Sequence, residues 1–184
     1  MMTKMKKLKK TFQDIEKNIL KHELKHATPT TFEAVGAHFK LKDLDDSFFK
    51  ELGLNMVDAY NIVKYATYGE ETSVGPYIIS HYVDMFKQLE NLSDVITEGN
   101  IWSRQHVIQF PAIHCFQSIQ FLFRDNEANV VVNMRSCNYR KNFLMDVFLS
   151  YYCGITLAKA IEEKYKCTMD RIHVIMNIGS LHIF

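Results

Sequence analysis

Proline and glycine are both scarce, with 3 and 7 copies among 184 residues, which excludes collagen-like and low-complexity architectures. Charge of one sign is lacking as well. Lysine and arginine number 22 against 21 Asp and Glu, a formal net charge of +1, so no broad field draws the molecule to nucleic acid or a membrane surface. The four cysteines, Cys115, Cys137, Cys153 and Cys167, form no CxxC pair and offer no zinc signature. They are expected to be free thiols in a reducing compartment. No continuous apolar stretch opens the chain, and no later run reads as long enough to span a bilayer. A cytoplasmic protein is therefore expected, whether of a cell or of a virus-infected one. His22 and His26 stand four apart with no third ligand nearby, so they read as a polar helix face and no metal is expected.

What is present is apolar bulk. Hydrophobic residues make up 47% of the chain, enough for one domain with a sizeable core. Lys4, Lys6, Lys7, Lys9 and Lys10 crowd over Met5, Leu8, Phe12, Ile15, Ile19 and Leu20, which recur at helical spacing. The lysines read as the solvated face of a helix over about Lys4 to Leu24, with phosphate contact as the alternative. Helix gives way before Thr28-Pro29-Thr30. A short strand or loop is expected around Ala37 to Leu41, then a brief helix capped by Asp45 or Asp46 and stopped by Gly53. Asn55 to Tyr68 reads as a helix closed by Gly69, and Tyr77 to Ile96 as an amphipathic one with Val83, Phe86, Leu89 and Leu92 on one face.

The texture then turns to strand. His106 to Phe110, Ser118 to Phe123 and Asn129 to Met134 are short and rich in β-branched and aromatic residues, and Arg124-Asp125-Asn126-Glu127 suits a hairpin link. A long helix fits Phe143 to Lys164, with Val147, Tyr151, Ile155, Ala158 and Ile161 or Glu162 on one stripe. A final strand covers Ile172 to Met176 and leads through Gly179 to Phe184. Phe121, Phe123, Phe143 and Phe148 are expected in the core. Helices first and an antiparallel or mixed sheet after them make an α+β fold in a single domain over 1–184.

Within the strand-rich half, Cys115 is followed five residues on by Gln120-Phe121, and twenty residues on by Arg135-Ser136. Asp146-Val-Phe comes next, then Gly179-Ser-Leu-His182-Ile-Phe184, while Ser103-Arg104-Gln105 precedes the whole set. In this order and spacing the motifs over 104–184 resemble the nucleotide-binding core of the thymidylate synthase and pyrimidine hydroxymethylase family, with 1–25 as an N-terminal helix. The resemblance implies a thymidylate synthase-like fold and a pyrimidine nucleoside monophosphate as substrate. It implies Cys115 as nucleophile, Arg135 and the Ser136 hydroxyl at the 5′-phosphate, and His182 at the ribose hydroxyl. Asn138 stands where the family often has a folate-facing Asp, and 5,10-methylenetetrahydrofolate is the implied one-carbon donor. Arg104 would reach a neighbouring subunit's phosphate site, which implies a homodimer.

The chemistry asks for such residues. Bond formation at pyrimidine C5 requires that carbon to become nucleophilic, and a thiolate adding at C6 achieves it. A guanidinium nearby favours the thiolate and anchors a phosphate through paired hydrogen bonds. Asp146 is the informative difference. The thymidylate synthases carry Asn in its place, and dCMP hydroxymethylases carry Asp. A carboxyl accepts from the cytosine N4 amine and, when protonated, donates to N3. The expected function is thus C5 hydroxymethyl transfer to a dCMP- or CMP-type nucleotide, with Cys115 and Asp146 catalytic.

Blander readings stand beside these. A lone cysteine usually packs as a small hydrophobe, and Asp146 sits where it would favour a helix N-terminus. The chain also departs from the family: Phe116 follows the nucleophile in place of His, Phe184 replaces a Tyr, and Ile62 and Lys64 stand on the helix that normally brings a Glu. The alternative expectation is a degenerate relative that binds nucleotide or acts as a regulatory partner subunit.

Overall fold

The computed structural model describes residues 4–24 and 31–184. The lysine face expected over Lys4 to Lys9 and the break at Thr28-Pro29-Thr30 lie outside what is described. Helix α1, Lys4–Ile19, ends five residues sooner than expected, because Glu23–Leu24 (β1) turns back to pair with the next strand. That strand, β2, is an eleven-residue Thr31–Leu41 where only a short segment is expected. Asp45 caps α2 (Asp46–Glu51) through a 2.9 Å bond from Phe48 N–H to its carboxylate. Asn55 caps α3 (Met56–Tyr68), accepting from the N–H groups of Val57 and Asp58. Two-residue strands β3 (Ser73–Val74) and β4 (Tyr77–Ile78) pair with each other before α4, Ser80–Val95.

Strands β5 (Val107–Gln109), β6 (Phe116–Arg124) and β7 (Glu127–Asn138) follow as a meander. Asp125 and Asn126 both take positive φ, 48° and 61°, the backbone that a two-residue hairpin of matching twist requires. A π-type turn, Tyr139–Phe143, leads into α5 (Leu144–Tyr165), and β8 runs unbroken over Arg171–Ile183. The six strands lie in the order β1-β2-β8-β7-β6-β5. Of the two expected arrangements, antiparallel or mixed, the sheet is mixed: β7 and β8 are parallel, since α5 carries the chain back between them. The protein is α+β with a mixed sheet. Tyr139–Tyr165 corrects the reading of apolar runs. It is long and apolar enough to cross a membrane by length and composition alone, yet most of its apolar window is buried inside the protein, as in a core helix.

One sheet face holds the core. Ile119, Phe121, Val130, Val132, Val174 and Met176 are buried on it beneath Val147, Phe148, Tyr151 and Ile161 of α5. The opposite face stays half-exposed and polar: His38, Asn177, Asn133 and Ser118 join in a side-chain chain across β2, β8, β7 and β6, with links of 2.7, 3.0 and 3.0 Å.

Strand alternation predicts core residues two apart. In four neighbouring strands that spacing becomes three: Phe116 to Ile119, Met134 to Cys137, Ile178 to Leu181, and Ala34 to Ala37. Each strand gains a residue at nearly the same row, so the pleat changes phase there. In β2 the change occurs at Gly36, with φ +69°. In β6 the register slips between Phe116 and Ser118. In β8 it occurs at Gly179, where an added Cβ would lie 2.7 Å from the Arg135 carbonyl oxygen. Gly179→Ala should therefore destabilise by about 1–3 kcal/mol in urea unfolding, through backbone displacement. Gly99→Ala, whose Cβ meets nothing within 4 Å, should stay within about 0.5 kcal/mol of the parent. Equal effects would mean that the close approach at the phase change is not what holds position 179.

Candidate active site

The phase change aims the residues that follow it. Beyond the row, Cys137 points into the core, and Ser136 faces the other way beside Cys115, whose Sγ lies 3.7 Å from its Oγ. The Arg135 N–H donates to the Cys115 carbonyl at 2.8 Å, fixing the turn before β6 against β7. The Arg135 guanidinium is exposed and donates to the Ile113 carbonyl at 3.3 Å. Cys115 is exposed, while Cys137 and Cys153 are buried.

Asp146 occupies the third position of α5 and is 3% exposed. Its side chain does not cap the helix. The Tyr82 hydroxyl donates to Oδ1 at 3.4 Å, and the Cys137 thiol donates to Oδ2 at 3.3 Å. Burial pushes the Asp146 carboxyl up to about 7, and the two donors offset only part of that rise. Burial first, and the Asp146 charge second, hold Tyr82 and Cys137 well above their ordinary ranges, so both remain protonated donors.

Cys115 and Asp146 open onto the same cleft of ≈ 200 Å³, together with Tyr82 and His81 from α4, His114 and Asn142. The larger groove between α3, α4 and α5, ≈ 680 Å³, contains none of the residues expected to carry chemistry.

The remaining expected residues fall outside the cleft lining. Asn138 and His182 are register partners two residues beyond Ser136 and Ser180. Asn138 accepts from the Lys141 N–H at 3.0 Å, and its buried Nδ2 has no hydrogen-bond partner among the described residues. The His182 ring stacks on Phe184 at 5.1 Å. Arg104 is exposed just before β5, its carbonyl accepting from the Gln120 side chain, five residues on from Cys115, and it does not line the cleft. Ile62 is wholly buried in α3 and Lys64 is exposed, and neither they nor Asp58 of the same helix line the cleft. Among the described residues, no group of three or more His, Cys, Asp or Glu is placed to hold a metal.

Tyr82, His81 and Cys137 are the site residues that the sequence reading missed. Tyr82 lies four residues before Phe86 on the stripe read as plain core, and a polar-tipped residue on a buried stripe is the signal it left. A scan of known protein families finds none that matches the chain, and a search of curated proteins finds no match.

A buried acid whose folded pKa lies above its unfolded value weakens the fold as pH rises between the two. Asp146 should cost nothing below about pH 4, and progressively more up to about 7, where the cost levels off. Asp146→Asn should thus raise the thermal midpoint at pH 8 and lose that advantage near pH 4. A midpoint difference constant across this range would contradict the burial of an ionisable carboxyl.

Proposed function

We propose that the cleft binds a cytosine-type nucleoside monophosphate, and that Cys115 adds reversibly to C6 of its base. The observation that carries this reading is the shared cleft: an exposed thiol and a buried, readily protonated carboxyl open onto one space. A neutral Asp146 donates to N3 and accepts from the N4 amine, the pattern cytosine presents and uracil does not. Addition forms the Sγ–C6 bond, moves the C5=C6 electron pair to C5 and releases the thiol proton, leaving C5 nucleophilic. Arg135 and Ser136 lie next to Cys115 and would take the 5′-phosphate, with Arg104 completing that site from a second copy in a homodimer. The exposed Arg104, outside the cleft lining of its own chain, supports that arrangement. His182 would serve the sugar.

The family resemblance implies a one-carbon folate as donor for hydroxymethyl transfer. At ≈ 200 Å³ the cleft is smaller than the roughly 300–1,000 Å³ of sites for larger ligands, and has room for a pyrimidine ring but not a pterin beside it. The residues of one chain do not fit the folate, so the proposal stops at the covalent nucleotide adduct, the first half of C5 hydroxymethylation. One observation favours a second reading, a nucleotide-binding partner subunit without turnover: Ile62 is buried and α3 contributes no residue to the cleft lining, its Asp58 lying outside it.

Intact mass after incubation with 5-fluoro-dCMP or 5-fluoro-dUMP, with and without methylenetetrahydrofolate, separates the readings. The expected result is an adduct that favours the cytosine analogue, vanishes in Cys115→Ala and shifts toward the uracil analogue in Asp146→Asn. Binding without an adduct supports the partner subunit, and no binding of either analogue defeats both readings. Removing the guanidinium in Arg135→Ala should weaken nucleotide binding about 10- to 100-fold, as expected for a charge-assisted contact, and leave nucleoside binding within about twofold.

A further inference from the structure

We infer that His114, oriented by Asp84, is the proton acceptor for Cys115, so that the cleft carries a thiol–imidazole–carboxylate relay. The inference rests on the covalent reading of Cys115 given above. It begins with helix α4, which is tied to β5 by two hydrogen bonds from one side chain: Gln88 Nε2 donates to the Gln109 carbonyl at 2.7 Å, and the Gln109 N–H donates to Gln88 Oε1 at 3.0 Å. That clamp sets the first turns of α4 over the segment leading into Cys115. His114 sits in this segment with only 17% of its side chain exposed. Its Nε2 lies 3.6 Å from Asp84 Oδ2, and its ring stands edge-on to His81 at 6.2 Å and against Phe110 at 6.3 Å.

Three neighbours thus fix the plane of the imidazole. With Nε2 turned to Asp84, Nδ1 is the ring nitrogen away from that carboxylate, and His114 and Cys115, adjacent in sequence, both line the cleft. A carboxylate at the far nitrogen sets the tautomer and stabilises the imidazolium that forms on proton transfer. Asp84 acts only through His114 and is a positioning residue.

The other groups facing His114 do not supply this role. Asp146 accepts from Tyr82 and Cys137, and in the proposed complex its carboxyl is taken up by the base. Arg135 is a permanent cation held at the Ile113 carbonyl. His81 also lines the cleft, but it is exposed and stands perpendicular to the His114 ring at 6.2 Å, with no carboxylate among the described residues paired to it to orient it. Helix α3 offers the buried Ile62. In the forward step, the Cys115 thiol proton passes to His114 as the Sγ–C6 bond forms. In the reverse step, the imidazolium returns it as that bond breaks and the C5=C6 bond is restored.

Thiol alkylation tests the relay without any nucleotide, and so separately from the function it serves. The rate of iodoacetamide attack on Cys115 is read by peptide mass, so that Cys167 is counted apart as an internal control. An unassisted thiol is only a few per cent thiolate near pH 7, so His114→Gln should slow Cys115 alkylation about tenfold there, and Asp84→Asn about threefold. Near pH 10, where hydroxide removes the proton unaided, the three proteins should converge within about twofold. A purely structural effect would slow the reaction at both pH values and overturn the relay, as would equal rates at pH 7. If the pH-selective loss appears but no fluoronucleotide adduct forms in the parent protein, the relay stands and the nucleotide reading falls.

Discussion

Four adjacent strands change the phase of their pleat at nearly the same row, and the candidate site depends on that registered irregularity. Without it, Cys137 would lie on the polar face and Ser136 in the core, since a single-residue slip exchanges the faces of a strand. With it, the Cys137 thiol meets Asp146 from below at 3.3 Å, and Ser136 meets Cys115 at 3.7 Å. The close approach of Gly179 to the Arg135 carbonyl, together with the positive φ of Gly36, lets neighbouring strands take the extra residue side by side.

The second consequence is electrostatic. A carboxyl that is 3% exposed and faces two neutral donors, with no cation paired to it, is expensive to ionise. The fold bears that cost in a cleft beside an exposed thiol, the setting in which a perturbed acid is a candidate for chemistry. Asp146 near neutrality can present either protonation state to a ligand, whereas an asparagine there presents one fixed pattern. Tyr82 and Cys137 keep its side chain from capping the helix and aim it at the cleft.

Much of the architecture was legible because it rests on local signals. Asp45, Asn55 and the Asp125-Asn126 turn are where capping and turn chemistry place them, and Phe121, Phe123, Phe143 and Phe148 are all buried. What escaped was non-local. The parallel pairing of β7 with β8 and the return of β1 onto β2 depend on partners far along the chain, and no local propensity reports them. The same holds within the site. Cys115, Ser136 and Asp146 stood out through their spacing, but Tyr82 and His81 line the cleft, and Asp84 meets His114, on a helix that Gln88 ties to β5. Asn138 and His182 pair two residues beyond Ser136 and Ser180 and fall outside the cleft lining, a displacement that sequence spacing does not resolve.

The central claim is that a buried carboxyl of unusual basicity faces the same space as Cys115. Carbon-13 NMR titration of labelled aspartate, with the Asp146 signal assigned by its loss in Asp146→Asn, tests that claim most directly. The account predicts a midpoint of about 7 for this one carboxyl, displaced upward when a cytosine nucleotide is bound. A midpoint near the ordinary value of about 3.9, unchanged by nucleotide, would contradict it.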